Sequence, residues 1–231
     1  MSALQLAEIR LAVLDMDGTL VDAFEDIHQA TNYTLAQLGR PPLDFATVRS
    51  FVGNGAVLLL RRALRTEDDE LIARALPHWQ AYAAEHAAER SRLYPGALDF
   101  LDGARRLGVK TALLSNKPHA ITVEILARLG VADRFDLAWG EKPEFPCKPD
   151  PGALRAVMER LGVRPDETLV VGDGAPDMEV AQATGAFSCG ATWGLTSREG
   201  LIALGADMTV DSLGELLAAF EAASPGHRLR M

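Results

Sequence analysis

Cysteine is nearly absent: Cys147 and Cys189 are the only two in 231 residues. They stand far apart and in no paired spacing, so neither a disulfide framework nor a thiolate zinc site is expected, and a reducing cytosol suits them. Long apolar runs are missing as well. Stretches such as Ala56 to Leu60 fall far short of the roughly 18 residues that a bilayer span needs. Met1 to Arg10 has no apolar core bounded by a cleavage site. A cytoplasmic protein with no membrane partner is therefore expected. Basic residues are outnumbered, 23 against 32 acidic, for a net charge of −9. That balance gives no chain-wide attraction for nucleic acid or anionic lipid, which are held by clustered lysine and arginine. Repeats and low-complexity tracts are lacking too.

What is present is a globular composition, 48% hydrophobic and 24% charged, which excludes a disordered chain. Short apolar runs alternate with helical patterns. Leu11 to Leu14, Thr111 to Leu114 and Thr168 to Val171 read as buried strands, with weaker candidates at Phe187 to Cys189 and Met208 to Val210. Between or after them, Ala97–Leu107, His119–Leu129, Pro151–Leu161, Pro176–Thr184 and Leu213–Ala222 read as helices, and Gly108, Gly130, Gly162 and Gly185 fall where helices end. This alternation predicts an α/β fold, a Rossmann-like doubly wound parallel sheet with helices on both faces. One segment breaks the rhythm. From about Ala23 to Arg92 no strand signal occurs, while Ile27–Leu38, Val57–Leu64 and Glu70–Ala84 are amphipathic. About seventy residues is too long for a connecting loop. The expected organisation is a catalytic core of residues 1–22 and 93–231, with a helical cap of residues 23–92 inserted into it. The tail, Ser224 to Met231, carries turn residues and two arginines and is expected to be mobile.

Ligands of a doubly wound sheet bind beyond the carboxyl ends of its strands. Asp15, Ser115 and Asp173 end three of the strand candidates, so they are expected on one edge. Asp15 and Asp17 place two carboxylates two residues apart just past a buried strand. Phosphoryl transfer accounts for this set. A carboxylate can attack phosphorus to form an aspartyl-phosphate, but an anion approaching a phosphate dianion needs a compensating cation. Asp15 and Asp173 make a hard oxygen site suited to Mg²⁺. Lys148 can add positive charge, and the Ser115 hydroxyl and the backbone N–H groups after Asp17 can donate to phosphate oxygens.

At these residues the chain resembles the haloacid dehalogenase superfamily. Asp15-Met16-Asp17-Gly18-Thr19-Leu20-Val21-Asp22 resembles its first motif. Ser115-Asn116-Lys117, Lys148-Pro149-Asp150-Pro151 and Gly172-Asp173-Gly174-Ala175-Pro176-Asp177 are similar to the second, third and fourth, in the family's order. Phe51-Val52-Gly53-Asn54-Gly55, Tyr94-Pro95-Gly96, Asn116-Lys117-Pro118 and Trp193-Gly194 are similar to segments of its phosphoglycolate phosphatase branch. The resemblance implies Asp15 as nucleophile and Mg²⁺ ligand. It implies Asp17 as the acid that protonates the leaving oxygen and then the base that activates water, with its backbone carbonyl on the metal. Asp173 would be a metal ligand and Asp177 would orient the metal's water shell. Gly18, Thr19, Ser115, Asn116 and Lys148 would hold phosphate. Gly174 departs from the Ser or Thr common in the family. The implied substrate is a small phosphorylated metabolite, 2-phosphoglycolate first, and the implied chain is a monomer or homodimer. A pyrophosphatase, a sugar-phosphate phosphatase or phosphomutase, a carbon–halogen hydrolase and a phosphate-carrying signalling module are the alternatives.

Each of these residues also has a plainer reading. Asp17-Gly18 suits a turn, Ser115 and Asn116 suit a helix cap, and Lys117 and Lys148 suit a solvated surface. Gly53, Asn54, Arg61 and Lys117 are candidates for substrate specificity. Arg61, Arg62 and Arg65 could clamp a substrate carboxylate or could line a solvated helix face beside the acidic run Glu67–Glu70. The five histidines form no ligand spacing. Cys189 reads as a small buried hydrophobe, and Trp193 as a packing residue.

Overall fold

A computed structural model describes residues 1–224, so all of the tail beyond Ser224 lies outside the described residues. The chain begins with α1 (Ala3–Glu8), runs through β1 (Leu11–Leu14), and leaves the sheet at β2 (Val21–Asp22). Four helices follow: α2 (Phe24–Gln37), α3 (Phe45–Arg49), α4 (Gly55–Leu64) and α5 (Asp69–Glu85). The chain returns at β3 (Arg92–Leu93), which pairs antiparallel with β2, Val21 opposite Leu93 and Asp22 opposite Arg92. Then come α6 (Ala97–Arg106), β4 (Lys110–Pro118), α7 (His119–Arg128), β5 (Leu137–Glu141), α8 (Gly152–Leu161), β6 (Thr168–Gly172), α9 (Ala175–Thr184), β7 (Phe187–Ala191), α10 (Arg198–Ala203), β8 (Met208–Val210) and α11 (Leu213–Ala223).

Six strands make one parallel sheet in the order β5-β4-β1-β6-β7-β8, the α/β architecture the alternation predicts. β1 lies between β4 and β6, so all four of its residues are buried. The strand period of two divides them between the faces. Leu11 and Val13 pack with Leu154 and Val157 of α8 and Val180 of α9, whereas Ala12 and Leu14 join the cluster that holds Phe100, Ile125 and Phe220 of α6, α7 and α11. Burying these aliphatic side chains, at about 1.5–3 kcal/mol each, fixes the strand register. The register in turn sets the active edge. Leu14 stands opposite both Leu113 and Val171, and the Asp15 N–H donates to the Val171 carbonyl at 2.8 Å. Asp15 and the β6 terminus therefore leave the sheet side by side.

Besides the short elements α1, β2, β3 and α10, which the sequence pattern does not mark, the structure departs from it in three places. β4 runs on to Pro118, so Ser115, Asn116 and Lys117 lie within a strand instead of beyond its end, with a register irregularity between Leu114 and Pro118. β5 is an added strand: it is an edge element whose apolar run is only Leu137-Ala138-Trp139, too short and too exposed to stand out. The helix α3 is also added; it is capped by Asp44, whose carboxylate accepts from the Thr47 N–H at 2.8 Å.

Candidate active site

Two lysines organise the edge. Lys148 is buried, 5% exposed, and its ammonium makes three bonds: to Asp15 Oδ1 at 2.8 Å, to Asp177 Oδ1 at 2.7 Å and to the Leu114 carbonyl at 2.7 Å. All three N–H donors are thereby used. Burial alone would lower its pKa, but Asp15 and Asp177 outweigh that and hold the ammonium charged. This placement overturns the solvated-surface reading of Lys148. Lys117 is overturned in the same way: it is 7% exposed, and its ammonium donates to both Asp17 oxygens at 2.9 Å. Each carboxylate of the Asp15/Asp17 pair thus has its own cation, delivered from a different element.

On the opposite side, Asp15, Asp173 and Asp177 can each offer an oxygen within 4.8 Å of the others. Burial pushes Asp173 well above the usual carboxylate range, and the nearby Asp15 and Asp177 add to it. Asp177 is pushed up to about 6 by burial, with Lys148 opposing. Asp17 is raised by burial and pulled back by Lys117. Four carboxylates against two ammonium groups leave two uncompensated negative charges when all are ionised. A buried all-oxygen cluster with that deficit fits one divalent cation of the Mg²⁺ type.

The backbone is shaped around Asp173. Gly18 has φ 88, and a Cβ there would lie 2.2 Å from Asp173 Oδ2; a Cβ at Gly194 would lie 2.2 Å from Asp173 Cβ. The Asp173 carboxylate accepts from the Leu195 N–H at 2.7 Å and stands 3.5 Å from the Thr19 hydroxyl. Thr19 is fully buried, and its side chain faces Asp173. Gly174 is extended, φ −143, and a Cβ on it would meet nothing closer than Pro176 Cδ at 3.5 Å.

Ser115 is buried, and its hydroxyl accepts from the Lys117 N–H at 3.3 Å. The Asn116 side chain is committed elsewhere than to a phosphate. Its Nδ2 donates to the Gly53 and Lys148 carbonyls, each at 3.0 Å, and its Oδ1 accepts from the Lys148 N–H at 2.7 Å. It is a strut between β4, the Lys148 turn and the loop before α4. Of the specificity candidates, Gly53 and Asn54 are in that loop, and Gly53 borders both cavities of the site. Arg61 is not brought to the site: it pairs with Glu67 at 3.2 Å and with Asp69. Arg62 donates to the Phe51 carbonyl and the Asn54 side chain, and Arg65 ends α4. Trp193 does more than pack, since its indole N–H donates to the Thr19 carbonyl at 3.0 Å.

Asp15 borders two cavities. The larger, 540 Å³, opens between α3 and the Asp173–Asp177 loop and includes Arg49, Lys148 and Leu195. The smaller, 30 Å³, lies beside Asp17 and Lys117 under Ile27, Leu59 and Trp79. Arg49 and Trp79 were not legible as site residues: Trp79 falls on the apolar face of α5, and Arg49 is one charge among many.

Among the described residues no helix is long and apolar enough to cross a membrane. Residues 9–185 match the family model for haloacid dehalogenase-like hydrolases. The chain is similar to the phosphoglycolate phosphatase of Pseudomonas putida, 38% identical over 90% of this chain and 78% of that one. It is also similar to that of Chromobacterium violaceum, 34% identical over 92% of this chain and 97% of the other. A crystal structure of a predicted phosphoglycolate phosphatase from Haemophilus somnus superposes with a TM-score of 0.83 at 26% identity, covering 91% of this chain and 97% of that one.

Proposed function

The chain belongs to the haloacid dehalogenase-like hydrolase family, and from that premise we propose that it is a cytoplasmic, Mg²⁺-dependent phosphatase that cleaves 2-phosphoglycolate through a phosphorylated Asp15. The observation that carries the reading is the pairing of Asp15 with Lys148 and of Asp17 with Lys117 at one strand end. Two carboxylates with separate cations and separate environments can take separate roles.

Asp15 Oδ attacks phosphorus as the bond to the leaving oxygen breaks. Lys148 donates to Asp15 Oδ1 and offsets charge on the phosphoryl group. Asp17 gives its proton to the leaving oxygen; burial raises its pKa toward the protonated form that this step needs. Water then attacks phosphorus as Asp17 takes its proton, the Asp15 Oδ–P bond breaks to restore the carboxylate, and inorganic phosphate leaves. The Ser115 hydroxyl is the neutral side-chain donor for the phosphoryl oxygens; the N–H groups of Gly18 and Thr19, expected from the sequence to hold phosphate, instead donate to the Val21 and Met16 carbonyls in the turn after Asp17. Asp15, Asp173 and the Asp17 backbone carbonyl would hold the Mg²⁺, with Asp177, whose oxygens also accept from Lys148 and the Gly174 N–H, beside its water shell; the ion supplies charge neutralisation to the transferring group when bound. Residues 23–92 act as the cap that closes over the leaving group.

Phosphate release from a panel of phosphomonoesters, with and without Mg²⁺, tests this reading. Metal-dependent hydrolysis of 2-phosphoglycolate that is lost in Asp15→Asn is expected. Full activity in that variant, or activity without metal, overturns the mechanism.

A further inference from the structure

Trp79 is 3% exposed, yet its indole N–H has no hydrogen-bond partner. Buried polar groups are nearly always satisfied, so an orphan donor calls for an explanation. Trp79 lines the 30 Å³ cavity together with Asp17 and Lys117. Lys117 also has capacity to spare: an ammonium carries three donors, and its bonds among the described residues go to the two Asp17 oxygens. Asp17 borders this cavity and is not part of the wall of the larger one. A group protonated by Asp17 must therefore sit on this side.

We infer that this cavity is the leaving-group subsite, and that the Trp79 indole N–H and the Lys117 ammonium together receive a carboxylate carried by the leaving group. The inference rests on the phosphatase reading above and deepens it. A cavity wall that carries both Trp79 and Lys117, with Ile27, Val52 and Leu59 as its apolar part, suits a small anion with two acceptor oxygens. The cavity is far smaller than the 540 Å³ one on the other side of Asp15, which favours a compact leaving group. Specificity then comes from the buried donor: a substrate without the acceptor leaves it unpaired.

The test compares 2-phosphoglycolate with ethyl phosphate, which has the same carbon count and no carboxylate. In Trp79→Phe, which keeps an aromatic ring and removes the N–H, kcat/KM for 2-phosphoglycolate should fall through KM about tenfold more than that for ethyl phosphate. Equal losses on both substrates, or no loss on 2-phosphoglycolate, overturn the inference. A wild-type enzyme with no preference between the two sinks the substrate reading itself, a separate result. A second measurement needs no variant at this position. In the wild-type protein with Mg²⁺ and phosphate present, saturating glycolate should shift the indole N–H resonance of Trp79, assigned through Trp139→Phe and Trp193→Phe. An unmoved Trp79 resonance overturns the inference.

Discussion

Arg49, on α3, donates from Nη2 to the carbonyl of Gly194 at 2.8 Å, and the N–H of the next residue, Leu195, holds Asp173 Oδ2 at 2.7 Å. The helical segment thus grips the loop that aims a buried carboxylate. Arg49→Ala frees that loop. Partners that orient a metal-binding carboxylate are worth 10–100-fold in affinity, so Mn²⁺ binding followed by paramagnetic resonance should weaken about tenfold. Affinity equal to wild type removes the coupling.

Lys148 is the only cation bonded to Asp15 and Asp177 among the described residues. Lys148→Met leaves both carboxylates buried without it. Breaking a buried pair costs about 3–5 kcal/mol, so the melting temperature without metal should drop sharply. Saturating Mg²⁺ should recover part of the drop, while kcat stays down by about 10²–10³-fold for want of the charge beside phosphorus. A variant as stable and as active as wild type contradicts the assignment.

Proton linkage gives a signed expectation. Asp177, raised by burial to about 6, and Asp173, raised well above the carboxylate range, hold protons in the folded metal-free protein that the unfolded chain releases near pH 4. Their contribution to stability is full below that pH and is lost as pH rises through the folded values. A divalent cation takes over where the proton leaves. The Mg²⁺-induced rise in melting temperature should therefore be larger at pH 7.5 than at pH 5, where binding must displace protons. Calorimetry showing the reverse order speaks against metal at these carboxylates.

Gly18 and Gly174 should respond in opposite ways to added side chains. Gly18→Ala places a methyl against Asp173 at a left-handed φ of 88, and loss of both metal binding and stability is expected. Gly174→Ser is extended and has room, so stability should stay within about 0.5 kcal/mol of wild type. Chemical denaturation of the two variants measures the contrast.

Much of the site is readable from sequence because it is built from strand ends. Asp15 and Asp173 follow buried strands whose in-register pairing brings them together, and short local motifs carry the rest. Contacts made across distance are another matter. A lysine is solvated unless a partner is supplied, and the partner of Lys117 is 100 residues away. Asn116 looks like a phosphate donor until the Gly53 and Lys148 backbones are folded against it. Trp79 obeys the same helical periodicity as Ile72 and Ala75, with which it is buried. Only the missing acceptor for its N–H sets it apart. β5 escaped because an edge strand needs apolar residues over little of its length.

The two-residue strands β2 and β3 are the only chain passages between the four helices and the sheet. Any swing of those helices must bend at this narrow stalk, and the outgoing arm starts four residues after Asp17. Rotation about one stalk would move Arg49, Gly53, Leu59 and Trp79 as a group. Admission of the substrate, drying of the reaction chamber and alignment of the Asp173 loop would then be one mechanical event, with little scope for a half-closed enzyme to waste a turnover.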